Sequence, residues 1–368
     1  MSILVTGAQG FIGRNLVVRL GELGVEKVST FTRSQTIDEL RVLVGEAKAI
    51  IHLAGENRPE DPSDFEKVNG ELTEQICSFI RETNRPIPLI FSSSTQADNV
   101  TPYGSSKRSG EQAVSSLAEE TGNPCAIFRL PNVFGKWCRP NYNSAVATFC
   151  HNIARGLEIT INDPSAVISL VYIDDVVDAL IVAANEASDG LRWLEIEPQY
   201  RVTVGELSAQ IQKFADSRIT LLSERVGTDL TRALYATYIS YLPTDAFAYE
   251  LPIHGDSRGV FVEMLKTPDC GQFSYFTAHP GITRGGHYHH TKSEKFLVLK
   301  GSARFGFRHI ITDEYHELFT SGDRPAVVET IPGWSHDITN IGDEELIVML
   351  WANEIFDRAK PDTISRSV

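Results

Sequence analysis

At 368 residues, 42% hydrophobic and 22% charged, the chain has the profile of a folded globular protein and is too long for one ordinary core, so two domains are expected. Its net charge of -14 repels phosphate backbones, which argues against nucleic acid or an anionic membrane as partner and obliges any nucleotide ligand to find local positive groups. No apolar run is long enough for membrane insertion, no basic region or cleavage site precedes the first strand, and five scattered cysteines form no C-x-x-C pair, so reduced thiols and a cytoplasmic location are expected.

Residues 3–6 form a short apolar run that ends in glycines, and helical spacing follows over 11–23. Strands are predicted at 28–31 and 49–53, a helix over 69–83, a strand at 88–91, a helix over 103–121 and a strand at 126–130. Strands alternating with helices of this length imply a Rossmann-type, doubly wound parallel sheet. Helical spacing returns over 175–186, 204–216 and 229–239. Beyond about residue 243 short β-rich runs alternate with Gly, Pro and Asp turns, at 260–262, 273–276, 295–299, 303–307, 326–331 and 346–351. No long helix interrupts them, which predicts a small barrel or jelly roll. The expected fold class is therefore α/β plus all-β, with domains over 1–243 and 244–368.

Thr6-Gly7-x-x-Gly10-x-x-Gly13 follows the first strand and opens the first helix, with Phe11 and Ile12 between the last two glycines. Glycine lets the backbone turn tightly and approach a pyrophosphate, and the helix N-terminus offers unpaired N–H groups and a positive dipole end. Glycines also serve plain turns, but this strand–turn–helix context predicts dinucleotide binding. The second strand is followed by Arg33 and not by an acid, which favours the 2′-phosphate of NADP(H). Ser92-Ser93-Ser94 ends the fourth strand, and Tyr103-x-x-x-Lys107 opens the next helix. Residues four apart share a helix face, so the Lys107 ammonium is expected to lower the Tyr103 phenol toward neutrality. Such a phenol can give a proton to a carbonyl oxygen while hydride reaches the carbon, a serine orienting that oxygen.

The β-rich part carries His287-x-His289-x4-Glu294-x6-Gly301 and later Pro332-Gly333-x-x-His336-x3-Asn340. On one strand His287 and His289 would project to the same side, with Glu294 and His336 arriving from neighbouring strands. Three neutral imidazoles and a carboxylate suit zinc, and less well iron, manganese or nickel.

Residues 1 to about 240 resemble the extended short-chain dehydrogenase/reductases that act on nucleotide sugars. The likeness rests on the motifs above and on His52-Leu53-Ala54-Gly55, Arg129-Leu130-Pro131-Asn132-Val133-Phe134-Gly135 and Tyr172-Ile173-Asp174-Asp175-Val176. It implies Ser94, Tyr103 and Lys107 as the catalytic three. It also implies cofactor contacts from Thr6, Gly7, Gly10, Phe11, Ile12, Gly13, Arg33, Leu53, Ala54, Lys107 and Pro131. The stretch between Ser94 and Tyr103, eight residues, is short for that family. The two-part histidine pattern is similar to that of cupins, which implies a jelly-roll barrel and a metal on His287, His289, Glu294 and His336. Asp256-x-Arg258-Gly259-x-Phe261-x-Glu263 and Arg284-Gly285-x-His287 resemble instead sugar-nucleotide 3,5-epimerases, which are metal-free cupins with that histidine as base. The two likenesses conflict at His287. We resolve them toward metal, because His289 and Glu294 complete the ligand set, and His290 becomes the candidate base.

The whole chain resembles the CapF family of bifunctional capsular-polysaccharide enzymes, on Lys136-Trp137-Cys138-Arg139-Pro140-Asn141-Tyr142-Asn143 and Gly285-Gly286-His287-Tyr288-His289-His290-Thr291-Lys292. The resemblance implies that the C-terminal domain epimerises C3 of UDP-2-acetamido-2,6-dideoxy-β-L-arabino-4-hexulose. The N-terminal domain would then reduce the C4 ketone with NADPH to a UDP-N-acetyl-6-deoxy-L-talosamine, toward UDP-N-acetyl-L-fucosamine for capsule or O-antigen. It places Asn132, Lys136, Arg139, Arg258 and Arg284 at the UDP-sugar. Cupin barrels often pair through edge strands, so a homodimer is expected. The alternative is a single-activity nucleotide-sugar epimerase or dehydratase whose cupin only binds sugar or dimerises.

Overall fold

The computed structural model describes every residue except 1, 187, 257, 258, 263, 266, 268–270 and 355–358. The expected sugar contact Arg258, and Cys270 with it, therefore lie outside the described residues. The chain packs as two compact units, Met1–Arg139 with Ile168–Val202, and Pro140–Val167 with Thr203–Val368.

The first unit holds strands β1 (Ser2–Thr6), β2 (Lys27–Phe31), β3 (Ala49–His52), β4 (Leu89–Ser94), β5 (Cys125–Leu130), β6 (Asn132–Phe134), β7 (Val167–Tyr172), β8 (Leu191–Leu194) and β9 (Tyr200–Thr203). Six of them form a parallel sheet in the order β2-β1-β3-β4-β5-β8, and the other three form a small second sheet. Leu4, Ile50, Leu89 and Phe91 are fully buried, as expected where helices cover both faces of a parallel sheet. Strand order reverses about β1, with β2 on one side and β3 on the other. Ligands of open α/β sheets bind at the carboxyl ends of the strands at such a reversal, and here those ends lead into Gly7 and Leu53.

The helices are α1 (Phe11–Glu22), α2 (Ile37–Glu46), the short α3 (Ser63–Phe65), α4 (Leu72–Thr83), α5 (Pro102–Thr121), α6 (Ala145–Ile153) and α7 (Ile173–Asn185), with α6 in the second unit. The Thr101 hydroxyl caps α5 by accepting the Gly104 N–H at 3.0 Å, and Pro102 needs no partner in the first turn. Gly110 lets α5 lie close on β4, since a Cβ there would come within 2.8 Å of the Phe91 ring and of the Asn69 carbonyl. Helices α2 and α6 and strands β6–β9 were not anticipated from the periodicity of the sequence.

The second unit joins α6 to α8 (Val204–Thr220), α9 (Asp229–Ser240) and a run of strands. These are β10 (Ala248–Glu250), β11 (Ile253–Asp256), β12 (Gly259–Val262), β13 (Gln272–Ala278), β14 (Thr283–Tyr288), β15 (Glu294–Lys300), β16 (Ser302–His309), β17 (Tyr315–Ser321), β18 (Ala326–Glu329), β19 (Trp334–Asn340), β20 (Leu346–Ala352) and β21 (Ile364–Ser365). Two five-stranded antiparallel sheets result, β10-β18-β15-β20-β13 and β17-β16-β19-β14-β21, beside a β11–β12 hairpin. Their inner faces meet through aromatic rings, Phe296 of β15 lying 5.7 Å from Phe305 of β16 between centroids. The α/β plus all-β architecture expected from the sequence is the one observed. No helix among the described residues is long and apolar enough to cross a membrane.

Candidate active site and metal centre

The glycine turn is shaped for a close ligand. Gly7 adopts φ +68°, and a Cβ there would sit 2.7 Å from the Ala54 nitrogen. A Cβ on Gly13 would come within 2.2 Å of the Gly7 carbonyl oxygen. Gly10 caps α1 with no side-chain bond, so no cap takes up the first-turn amides. Thr6 fastens this turn to the next strand end, its Oγ1 accepting the N–H groups of Leu53 and Ala54 at 3.2 and 3.1 Å. The Thr6 hydroxyl proton is then directed to His52 Nδ1, 2.6 Å away. That leaves the His52 proton on Nε2, pointing to Thr73 Oγ1 at 2.9 Å, and the Thr73 hydroxyl donates to the Asn69 carbonyl. Burial holds His52 down to about 3, so this chain of bonds stays neutral. The cradle fits a dinucleotide pyrophosphate.

Arg33 extends into solvent beyond β2 and pairs with Glu56 at 2.5 Å. Any 2′-phosphate at this point must draw Arg33 from that carboxylate. Pro131, beyond the carboxyl end of β5, is half-buried.

Ser94 is the side chain that acts on the Tyr103 phenol, favouring its ionised form. Ser93 is turned away and donates to Glu111 Oε1 at 2.6 Å, which separates the roles of the two serines. Lys107, 5% exposed, donates to the Ser92 carbonyl at 3.1 Å and lies over the Phe91 ring. Burial lowers its pKa to about 8, against a raising effect of Glu111. The expected lowering of the Tyr103 phenol is not found. Burial raises it, with only the Ser94 side chain acting the other way, and the Lys107 ammonium is directed to the Ser92 carbonyl. Sequence reasoning missed Glu111, which grips Arg129 through two bonds of 2.8 and 2.7 Å and so ties α5 to β5 beside the serines.

Among the expected sugar contacts, Asn132 and Arg139 are exposed. Lys136 is 1% exposed, and its ammonium is committed to Asp174 at 2.7 Å, so it supports β6 and α7 and does not present itself to solvent. Arg284 is exposed, with its guanidinium over Phe276.

In the second unit His287, His289, Glu294 and His336 converge, with one ligand atom of each within 4.8 Å of the others. The route differs from simple strand alternation. β14 is bulged between Gly285 and His287, Gly285 and Gly286 have φ of +99° and +75°, and His289 lies just past the strand end. His336 stands opposite His287 on the neighbouring strand β19, as expected, whereas Glu294 opens β15 in the facing sheet, so the cluster bridges two sheets. Glu294 Oε2 lies 3.1 Å from His289 Nε2 and 3.6 Å from His336 Nε2. Its other oxygen pairs with Lys292 at 2.8 Å, a contact that the sequence did not announce. Burial and the neighbouring imidazoles lower His287 to about 4, and burial lowers His336. Neutral imidazoles are the form that ligates metal. Neither ring nitrogen of buried His336 has a hydrogen-bond partner among the described residues. An ion would satisfy one of them, so the donor set fits a transition metal. His290 lies outside the cluster, its ring 5.6 Å from Tyr288.

Residues 3–193 match the NAD dependent epimerase/dehydratase family, and residues 254–364 match the polysaccharide biosynthesis C-terminal domain. The chain is 55% identical, over all of its length and 99% of the relative's, to UDP-2-acetamido-2,6-beta-L-arabino-hexul-4-ose reductase of Pseudomonas aeruginosa. It is 38% identical to the crystal structure of the capsular polysaccharide assembling protein CapF from Staphylococcus aureus, at a TM-score of 0.65 and full coverage of both chains. A fold likeness at 20% identity and a TM-score of 0.52 links 58% of the chain to Bordetella bronchiseptica WbmF, solved with NAD+. The chain belongs to the NAD dependent epimerase/dehydratase family and, along its whole length, to the CapF group of two-part proteins within it.

Proposed function

We propose that the chain reduces the C4 ketone of UDP-2-acetamido-2,6-dideoxy-β-L-arabino-4-hexulose with NADPH, after its C-terminal β domain has epimerised C3. The observation that carries the reductase reading is the Tyr103 phenol with Ser94 as the side chain that acts on it, beside buried Lys107. The activity named for the Pseudomonas relative supports the substrate class. Bound NADPH supplies the hydride. Ser94 orients the ketone oxygen, and Tyr103, kept protonated by burial, gives that oxygen its proton. Lys107, still mostly charged at neutral pH, stabilises the phenolate as it forms and holds the cofactor's ribose. Arg33 takes the 2′-phosphate in exchange for Glu56. Asn132 and Arg139 contact the sugar nucleotide, and the product is a UDP-N-acetyl-6-deoxy-L-talosamine.

A ketone at C4 acidifies the C3 proton, so epimerisation needs only a base and a stabiliser of the enolate. His290 is the base in this reading, with Arg284 and Arg258 at the substrate. His287, His289, Glu294 and His336 would hold zinc, which would fasten the two sheets to each other. The domains are taken as 1–243 and 244–368, working as a homodimer in the cytoplasm. One observation favours the alternative of a single-activity enzyme with tightly held NAD, namely the acid Glu56 beside Arg33. The test is incubation with the 4-keto sugar in D2O, first without NADPH and then with it. Deuterium at C3 followed by stoichiometric NADPH oxidation supports the proposal; a ketone that is never reduced refutes it.

A further inference from the structure

One short segment near the C-terminus touches the chain at or beside each histidine of the cluster. β21 pairs with β14, setting Ser365 opposite His287 and Ile364 opposite Tyr288. The Arg366 N–H donates to the Gly286 carbonyl at 2.8 Å, and the Ser335 hydroxyl, next to His336, donates to the Arg366 carbonyl. Asp362 makes the densest contact. Its carboxylate accepts three successive backbone N–H groups, those of His290 at 2.9 Å, Thr291 at 2.6 Å and Lys292 at 2.7 Å, and the Thr291 hydroxyl at 3.1 Å. That turn runs from His289 to Glu294, and its Lys292 pairs with Glu294. The Asp362 main-chain carbonyl is bonded to His289 Nδ1.

A carbonyl oxygen only accepts, so His289 carries its proton on Nδ1 in this contact. The lone pair is then on Nε2, the atom that faces Glu294. Histidine ligands hold their metal-binding tautomer through such a bond on the other nitrogen. We infer that Asp362 is a positioning residue for the metal: its carboxylate clamps the 290–292 turn, and its carbonyl locks His289 with Nε2 directed at the ion. The inference rests on the metal reading above. No sequence pattern signals it, because Asp362 lies 73 residues from His289 and outside the two-part histidine motif.

The test is the release of zinc from the full-length chain into a chromogenic chelator, for wild type, Asp362→Ala, Asp362→Asn and His289→Ala. Outer-shell changes of this kind typically weaken metal binding about 10- to 100-fold. Asp362→Ala should speed release by about that factor. Asp362→Asn, whose amide oxygen still accepts part of the turn's N–H groups, should fall between. Hydrogen exchange of β16 and β19 in the zinc-loaded proteins should match wild type, and NADPH binding should be unchanged. Wild-type release from Asp362→Ala, with zinc lost from His289→Ala, overturns the clamp and leaves the metal site standing. Loss of protection across β16 and β19 in zinc-loaded Asp362→Ala also overturns it, by showing a merely structural role. A wild-type chain that takes up no added zinc overturns the metal reading and the clamp with it.

Discussion

Replacing Lys107 by Met should abolish ketone reduction and yet stabilise the ligand-free parallel-sheet unit at neutral pH. The ammonium is 5% exposed, and burial lowers its pKa from 10.5 to about 8. The unfolded chain therefore binds the proton more tightly than the folded one. Between pH 8 and 10.5 the unfolded state holds more protons, so stability rises with pH through that window and the native state is penalised below it. A shift of about 2.5 units corresponds to about 3 kcal/mol at pH 7. Met keeps the methylenes over Phe91 but loses the bond to the Ser92 carbonyl, which contributes about 1 kcal/mol. The variant should thus be about 2 kcal/mol more stable at pH 7. Most of that advantage should vanish by pH 10, where the wild-type amine is neutral in the fold. Cys77 and Cys125 are buried thiols of this unit, so pulsed thiol labelling across a urea series, read by mass spectrometry, reports its unfolding directly. A Met variant less stable than wild type at pH 7, or a difference that does not change between pH 7 and 10, would refute the reasoning. The result bears on function, because a charge held against its own burial belongs where a developing phenolate will need it.

Tyr103→Phe keeps the ring against Phe65 and removes the proton donor, so the fold should survive while NADPH oxidation with the keto sugar falls about 10²-fold or more; a near-normal rate removes Tyr103 from the mechanism. Arg33→Ala should weaken NADPH far more than NADH, and Glu56→Gln should tighten NADPH several-fold by freeing Arg33; calorimetric titration of both cofactors checks each, and equal losses for the two would show that Arg33 does not read the 2′-phosphate. His336→Ala should release zinc and lower the melting temperature of the β-sheet unit while leaving labelling of Cys77 and Cys125 unchanged, because ligand binding energy there is folding energy. Elemental analysis and differential scanning calorimetry read both outcomes.

Strong local rules made much of the fold legible. Alternating strands and helices announced the parallel sheet, and glycines at 7, 10 and 13 marked the turn at its carboxyl edge. Helix α2 was missed although it carries a signal: Thr36 and Glu39 form a capping box, each side chain accepting the other's backbone N–H. Strands β6–β9, three to six residues long, were missed as well, although the apolar run of β7 is as long as those of β4 and β5. At the metal cluster, residue types were readable and geometry was not. The motif names four donors, but only the folded chain shows Glu294 on the opposite sheet and a bulge steering His287. Partners from distant segments, such as Glu111 for Arg129 and Asp362 for the 290–292 turn, leave no local pattern to read. The Tyr103 phenol fails the simple helix-face argument for another reason. Spacing of four brings Lys107 onto its face, but burial raises the phenol's pKa and the Ser92 carbonyl holds the Lys107 ammonium.

The order of the two proposed reactions follows from the ketone itself. The C3 proton is acidic only while C4 is a carbonyl, so inversion at C3 must come first. Once Tyr103 has delivered its proton and C4 is an alcohol, C3 can no longer exchange, and reduction fixes whichever C3 configuration reaches it. The keto sugar that passes between the sites is therefore stereochemically labile, and free in solution it can revert or decompose. On this proposal, joining both activities in one chain would raise the effective concentration of that intermediate at the second site without any new contact. The consequence is measurable in Tyr103→Phe. With reduction blocked, deuterium from D2O should enter C3 until it reaches isotopic equilibrium, and the two C3 epimers should settle at their thermodynamic ratio whether or not NADPH is present. If exchange in that variant stops when reduction stops, inversion does not precede reduction, and the two-step order is wrong.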